Sequence, residues 1–241
     1  MYRGKSIILI VPAFNEDTKI GEVIRRVPRK IVDKVTVVDD GSTDCTAIIA
    51  ERVGADQVIR LDCSRGVGYA IRAGYRVAQN EGYDISVTIA GNNKDNPQEI
   101  PVLLDPICDE RTDFVMGSRF LSEKNNVGEM PRYRIFATRI HPILVSIFCG
   151  HKITESTNGF RALRTSILYD QRLRLDESWL DRYELEVYLL MKILKLGYRT
   201  TEVPVSKIYP PKNTGYTKMS PIVDWWRMLA PIFLVGLGFR S

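Results

Sequence analysis

Histidine is scarce in this chain of 241 residues: there are two, His141 and His151, against four cysteines at positions 45, 63, 108 and 149. The cysteines stand far apart, none forms a Cys-x-x-Cys pair, and the histidines do not complete a zinc set. Reduced structural thiols and a cytoplasmic setting are therefore expected. Long apolar runs are missing too. Ser6 to Val11 is too short for a signal-peptide core and is closed by Pro12. Met228 to Phe239 carries no charge over 12 residues and is interrupted by Pro231, whereas a spanning helix needs about 20. Two readings of that stretch stay open. One is a helix docked on the core. The other is an interfacial anchor led by Trp225, Trp226 and Arg227, which gives peripheral contact with the cytoplasmic face of a membrane. Repeats, low-complexity tracts and nucleic-acid-binding motifs are absent as well, so no nucleic acid is expected as a partner.

What remains is ordinary globular composition with a basic balance. Hydrophobic residues make up 44% and charged residues 26%, and the net charge is +5 with a pI near 9.0. Such a balance suits anionic ligands: phosphates, nucleotides or lipid headgroups. One domain over residues 1–241 is expected, with 219–241 as a C-terminal helical segment. Apolar runs at Ser6–Val11, Lys34–Val38, Gln57–Arg60, Ile85–Ile89, Phe114–Met116 and Arg199–Ser206 read as strands. Helical spacing appears after Asn15, after Asp44 with Ser42 or Thr43 as cap, and over Gly66–Gln79, Pro97–Cys108, Arg132–Phe148 and Asp181–Leu196, with Gly197 as the stop. The alternation predicts an α/β fold, a mostly parallel, Rossmann-like sheet with helices on both faces. Ligands of such sheets sit at the carboxyl ends of the strands. The loops at 12–16, 39–44, 90–97 and 117–119 all fall there.

Those loops carry the chemistry. Val11-Pro12-Ala13-Phe14-Asn15-Glu16 closes the first strand and Val38-Asp39-Asp40-Gly41-Ser42-Thr43-Asp44 the second. A carboxylate at such an end accepts from a base N–H or ribose hydroxyls. Together, in this order, the two motifs resemble those of family-2 glycosyltransferases with the GT-A fold, most of all the polyprenyl-phosphate mannose or glucose synthases. The resemblance covers nearly the whole chain. It implies that Pro12, Ala13, Asn15, Glu16, Asp39 and Asp40 hold the nucleotide. Arg65-Gly66-Val67-Gly68 resembles the family's glycine-lysine-glycine helix start, with Val67 in place of the lysine. Gly68 is then a phosphate-side residue, and a plain tight turn is the competing reading. Counting back from Pro97 puts Ala90 and Asn92 on the two aspartates of the family's Asp-x-Asp, with Gly91 between them. Mg²⁺ or Mn²⁺ is the cofactor the family implies. Asn92 and Asp95 would form a weakened metal site, or the Lys94 ammonium would supply the positive charge itself. A solvated loop left after catalytic loss is the third reading.

Further matches extend the resemblance. Gly117-Ser118-Arg119 matches a family signature, and Arg119, Arg132, Lys212 and Lys218 are implied as the acceptor-phosphate set. Glu155-Ser156-Thr157-Asn158-Gly159-Phe160-Arg161 resembles Asp-x-x-Ser-Gly-Phe-Arg. Lys94, Asp95, Arg119, Arg161 and Glu184 are the candidate catalytic residues. The expected reaction moves a sugar from a nucleotide diphosphate sugar, of UDP or GDP type, to a polyprenyl phosphate with inversion. A lipid phosphate acceptor is anionic at neutral pH and needs no base. A glycan or small-molecule hydroxyl would need one, with Asp181 or Glu184 as candidates. A non-catalytic sugar-nucleotide-binding homologue is the third possibility.

Overall fold

The apolar run near the start of the chain forms a strand buried on both faces. In β1 (Ile7–Ala13), Ile7, Leu9 and Val11 enter one core while Ile8 and Ile10 enter the other, as alternating strand side chains must. A computed structural model describes residues 1–121, 132–209 and 223–239, with backbone only at 132–134. The other strands are β2 (Lys34–Asp39), β3 (Gln57–Arg60), β4 (Ile85–Thr88), β5 (Phe114–Ser118), β6 (Arg161–Arg164) and β7 (Thr200–Pro204). They form one sheet in the order β3-β2-β1-β4-β6-β5-β7. All pairings are parallel except those of β6, which runs antiparallel to both β4 and β5.

The helices are α1 (Asp17–Arg25), α2 (Thr46–Arg52), α3 (Val67–Asn80), α4 (Ile100–Cys108), α5 (Arg132–Cys149), α6 (Glu184–Lys195) and α7 (Val223–Gly236). α1, α2 and α4 supply Ile20, Ala50 and Leu103 to the core on one face of the sheet. α3, α6 and α7 supply Tyr75, Tyr188 and Ile232 to the other. This is the mostly parallel α/β architecture that the spacing predicts.

Four local details depart from the sequence reading. β6 was not expected, because two arginines bracket only Ala162 and Leu163. Its ladder partners on both sides, rather than its own pattern, make it a strand. The second helix starts at Thr46 and is not capped by Ser42 or Thr43. Asp44 Oδ1 accepts the Thr46 N–H at 2.9 Å, and Ser42 Oγ instead accepts the Asn15 N–H at 2.8 Å. The helix expected from Pro97 opens as a 3-10 turn, Pro97–Glu99, capped by the Asn96 side chain. The helix expected from Asp181 begins at Glu184, after another 3-10 turn at Ser178–Leu180.

α7 docks one face on the core and leaves apolar residues on the other exposed. Met228, Ile232 and Val235 are buried, whereas Trp226, Phe233 and Leu237 are exposed. No helix among the described residues is long and apolar enough to cross a membrane.

Candidate active site

A cleft of about 360 Å³ opens at the carboxyl ends of β1, β2 and β4. Pro12 and Ala13 from β1, Asp40 after β2, and Ala90, Gly91 and Asn92 after β4 line one wall, with Glu16 beside them. The loops here are tied to one another. Asn15 takes a left-handed φ of 50°, a region asparagine tolerates better than most residues. From there its Oδ1 accepts the Thr43 N–H at 2.9 Å. Asp39 accepts from the Ser42 N–H at 3.2 Å and from its hydroxyl. Asn15 and Asp39 therefore shape the wall from behind and do not line it.

Asp40 does both. It lines the cleft, and its carboxylate accepts from Ser64 Oγ at 2.8 Å, Arg65 N at 2.8 Å and Gly66 N at 2.9 Å. The glycine turn that follows is pressed onto the segment before α6. A Cβ on Gly68 would meet Leu180 O at 2.1 Å and Arg182 O at 2.5 Å. The Tyr69 N–H donates to Asp181 O at 2.9 Å. Close backbone approach therefore explains Gly68, which does not line the cleft, and Asp40 with Asp181 takes up donors at the α3 N-terminus. Gly66 and Val67 do line it.

The 90–97 loop is not a loose, solvated one. The Gly91 N–H donates to Pro12 O at 3.1 Å, and the Ile208 N–H to Lys94 O at 2.8 Å. Arg26 reaches from the end of α1 to Asn96 Oδ1 at 2.6 Å. Lys94 and Asp95 are buried, at 8% and 2% exposure. Asn92 Oδ1 accepts the Lys94 N–H at 3.1 Å.

The opposite wall is dense with paired charge. Asp95 faces Lys207 across an isolated antiparallel bridge. Lys207 Nζ donates to both Asp95 oxygens, at 2.8 and 3.0 Å, and to Asn158 Oδ1 at 2.6 Å. Burial pulls the Lys207 ammonium down from its usual pKa, and Asp95 opposes that pull. Arg119, 3% exposed, donates from Nε to Glu155 at 2.5 Å, from one terminal nitrogen to Thr157 Oγ1 at 3.1 Å and from the other to the Tyr209 hydroxyl. Burial works against the Arg119 charge, but Glu155 and Tyr209 outweigh it and hold the pKa above its ordinary value. Lys94 Nζ lies 5.6 Å from the Tyr209 ring centre.

Residues 8–171 match the family model described as glycosyl transferase family 2. The chain belongs to that family. A UDP-N-acetylglucosamine--dolichyl-phosphate N-acetylglucosaminyltransferase of Methanococcus voltae is 28% identical over 85% of this chain and 86% of its own length. An undecaprenyl-phosphate mannosyltransferase of Micrococcus luteus is 28% identical over 89% and 87%. In fold, the chain resembles glucosyl-3-phosphoglycerate synthase from Mycobacterium tuberculosis, solved with Mg²⁺ and UDP. The TM-score is 0.70 at 20% identity, covering 98% of this chain and 80% of that one. This protein is accordingly a glycosyltransferase, an enzyme of the GT-A type.

Divalent metal occurs in solved GT-A neighbours of this glycosyltransferase, yet its own donor set does not fit such an ion. Ala90 brings no ligand. Asn92 offers only a neutral amide oxygen, which already accepts the Lys94 N–H. Both oxygens of Asp95 are held by an ammonium, and its side chain is 0% exposed. No group of three or more His, Cys, Asp or Glu among the described residues could hold a metal ion. Oxygen ligands at short, regular spacing are what Mg²⁺ requires.

Of the expected catalytic residues, Lys94, Asp95 and Arg119 line the cleft. Arg161 does not. Its guanidinium donates to the backbone carbonyls of Asn158, Ser156 and Glu186 and clamps the 155–160 loop to α6. Glu184 turns toward α7, with Arg227 at 3.7 Å. The carboxylate of that segment lining the cleft is Glu186 instead. Burial raises its pKa, opposed by Arg161 and Lys207. Asp181 is engaged by Arg72 and is not a free base. The side chain of Arg132, together with Lys212 and Lys218, lies outside the described residues. Glu186, Lys207, Thr157 and Tyr209 were not singled out from sequence. Glu186 carried a faint signal, being the second carboxylate of Tyr183-Glu184-Leu185-Glu186. Lys207 carried none, because its partner lies 112 positions away.

Proposed function

We propose that this enzyme transfers a sugar from a nucleotide diphosphate sugar to a polyprenyl phosphate, with inversion at the anomeric carbon. The observation that carries this reading is the surface beside the cleft. Thr138 of α5 and Trp225 and Met228 of α7 line the cleft. The same two helices are apolar on their outer faces. On α5, Phe136, Ile140, Ile143 and Ile147 are exposed at spacings of one helical turn, at 68%, 37%, 55% and 68%. On α7, Trp226 and Phe233 are exposed, as is Leu237 just past its end, and Phe148 packs edge-on to Phe233 at 5.8 Å between the helices. An exposed apolar face of this kind marks a partner or a membrane. Beside a cleft lined by Lys94, Arg119 and Lys207 in a basic protein, a bilayer carrying a phosphorylated lipid fits best. The relatives named for dolichyl- and undecaprenyl-phosphate transfer support it.

In this reading an oxygen of the acceptor phosphate attacks the anomeric carbon from the face opposite the donor diphosphate. The bond from that carbon to the diphosphate oxygen breaks, and the nucleoside diphosphate departs. No proton has to move, since the nucleophile is already ionised. The protein aligns the two and stabilises the departing charge. Arg119 acts here as a positioning residue, holding Thr157 and Tyr209 at the cleft.

A hydroxyl acceptor is the second reading, and Glu186 favours it. A buried carboxyl with a raised pKa at the cleft suits a general base. The test supplies UDP- and GDP-sugars with polyprenyl phosphate in anionic vesicles and, separately, with soluble sugar acceptors. Lipid-linked product that persists at near wild-type rate in Glu186→Gln supports the first reading. Product on soluble acceptors alone, abolished by Glu186→Gln, establishes the second.

A further inference from the structure

We propose that Arg182 binds the donor diphosphate, as a guanidinium mounted on the start of α3. The proposal rests on the nucleotide-sugar reading above and deepens it. Three cations lining the cleft are each tied to a carboxylate: Lys19 to Glu16 at 2.9 Å, Arg119 to Glu155 at 2.5 Å and Lys207 to Asp95 at 2.8 Å. Arg182 lines the same cleft, is exposed, and makes no ion pair with any described residue.

The mount of this side chain is firm. The Tyr69 N–H donates to Asp181 O at 2.9 Å, and Arg72 pairs with the Asp181 carboxylate, so the backbone before α6 is fixed to α3. The stem of Arg182 lies against Gly66, where a Cβ would meet Arg182 Cγ at 2.6 Å. A Cβ on Gly68 would meet Arg182 O at 2.5 Å. Arg182 thus covers both glycines that flank Val67, an apolar residue that itself lines the cleft. The helix start that lacks a lysine at Val67 receives its cation from the segment before α6 instead.

The carboxylates of the cleft are engaged or stand elsewhere. Asp40, which holds the same turn, accepts from Ser64 Oγ and from the N–H groups of Arg65 and Gly66. Arg182 acts on Glu184, but that carboxylate faces Arg227 of α7 at 3.7 Å. Glu186 belongs to the other end: a Cβ on Gly159 would meet its Oε1 at 2.7 Å, and the charges acting on it are Arg161, Lys207 and Asp95. Arg182 therefore stands beside the Asp40 turn, and Glu186 beside the 155–160 loop. In the nucleotide-sugar reading the near wall takes the base and ribose, and the diphosphate is the next group along the ligand. A guanidinium presents a planar fork of donors that fits phosphate oxygens.

The experiment measures binding by calorimetry, using UMP, UDP, GMP and GDP with the whole chain, in EDTA and again with Mg²⁺. Arg182→Gln keeps the stem over Gly66 and removes the charge, so its Tm should hold. The diphosphate that the wild type prefers should bind this variant about tenfold more weakly. The matching monophosphate should lose less, since it carries a single phosphate. Val67→Lys made in the Arg182→Gln background returns a cation to the same place from the helix side and should recover most of the loss, whereas Val67→Met should not. An unchanged diphosphate Kd in Arg182→Gln overturns the proposal. So does a loss that Val67→Lys leaves in place or that Val67→Met repairs equally. Nucleotide affinity that holds while the KM for polyprenyl phosphate rises would give Arg182 to the acceptor phosphate and overturn its assignment to the donor. Failure of every nucleotide to bind the wild-type chain in either buffer would sink the nucleotide-sugar reading first, and this proposal with it.

Discussion

The two walls of the cleft are built by different means. On the wall from β1 and β2, short loops close on themselves. Asp39 bonds Ser42, Asn15 bonds Thr43, and Asp40 holds the 64–66 turn through backbone N–H groups. On the far wall the contacts are buried ion pairs between distant segments: Arg119 with Glu155, and Asp95 with Lys207. The first wall depends on hydrogen bonds, each worth about 1–3 kcal/mol net, the larger values where a carboxylate accepts. The second depends on charges whose partners must not be lost, since an orphaned buried charge costs more than that. The near wall is thus tolerant and shaped for a neutral or donor-bearing group. The far wall is brittle, because its charges are matched pair by pair.

Breaking the far wall should show this most strongly. Arg119→Ala leaves Glu155, which has 0% side-chain exposure, without its partner. The expected loss is about 3–5 kcal/mol, read by calorimetry as a fall of roughly 10 °C in Tm. Adding Glu155→Leu should return part of it. If the single and double variants melt together, the pair is not what holds this wall.

Asp40→Ala tests the near wall. It strands the N–H groups of Arg65 and Gly66 and should cost about 1–3 kcal/mol by urea unfolding, less than Arg119→Ala. Nucleotide affinity should fall with it. An equal or larger loss of stability would erase the contrast between the walls.

His141 supplies a smaller, pH-dependent difference. It lies buried between Ser156 Oγ at 2.7 Å and Met228 O at 3.2 Å, and burial lowers its pKa, with the Met228 contact opposing. The unfolded chain therefore binds the His141 proton more readily than the folded chain. Its contribution is intact above the unfolded pKa of about 6.5 and is lost as pH falls below that value. Unfolding free energy of the wild type should drop faster than that of His141→Gln between about pH 6.5 and pH 5. Parallel profiles would contradict the assignment.

The smallest effect on stability is expected outside both walls. Phe136→Ser with Ile147→Ser alters exposed positions and should change stability by no more than about 0.5 kcal/mol each. Co-sedimentation with anionic vesicles should nevertheless fall sharply. Undiminished vesicle binding would remove the surface argument for a lipid acceptor.

The contrast also explains what could be read from the sequence. The strand ends and turns of the near wall were legible because their residues are contiguous, whereas the helix cap falls to Asp44 rather than Ser42 or Thr43. That β1 to β4 run parallel was legible for the same reason, from apolar runs alternating with helical spacing. β6 was not, because its strand character comes from the ladders of β4 and β5 rather than from Arg161-Ala162-Leu163-Arg164. The roles of Arg161 and Glu184 were assigned from residue type. Their surroundings place one on backbone carbonyls and the other against α7. Lys207 went unnoticed because an ion pair across 112 positions leaves no local trace. The alteration of the motif at 90–97 is legible in the sequence, but its consequence appears only with Lys207 in view.

The most direct test of the account is transfer itself in metal-free buffer. The chain would be incubated with UDP- and GDP-sugars and polyprenyl phosphate in vesicles, with EDTA or with Mg²⁺ or Mn²⁺, and the lipid followed by mass spectrometry. The account predicts a lipid phosphate heavier by one sugar, formed at a similar rate with EDTA. Product that forms only with metal would contradict the misfit of the donor set to a divalent ion, and sugar transferred only to water-soluble acceptors would contradict the lipid-phosphate reading.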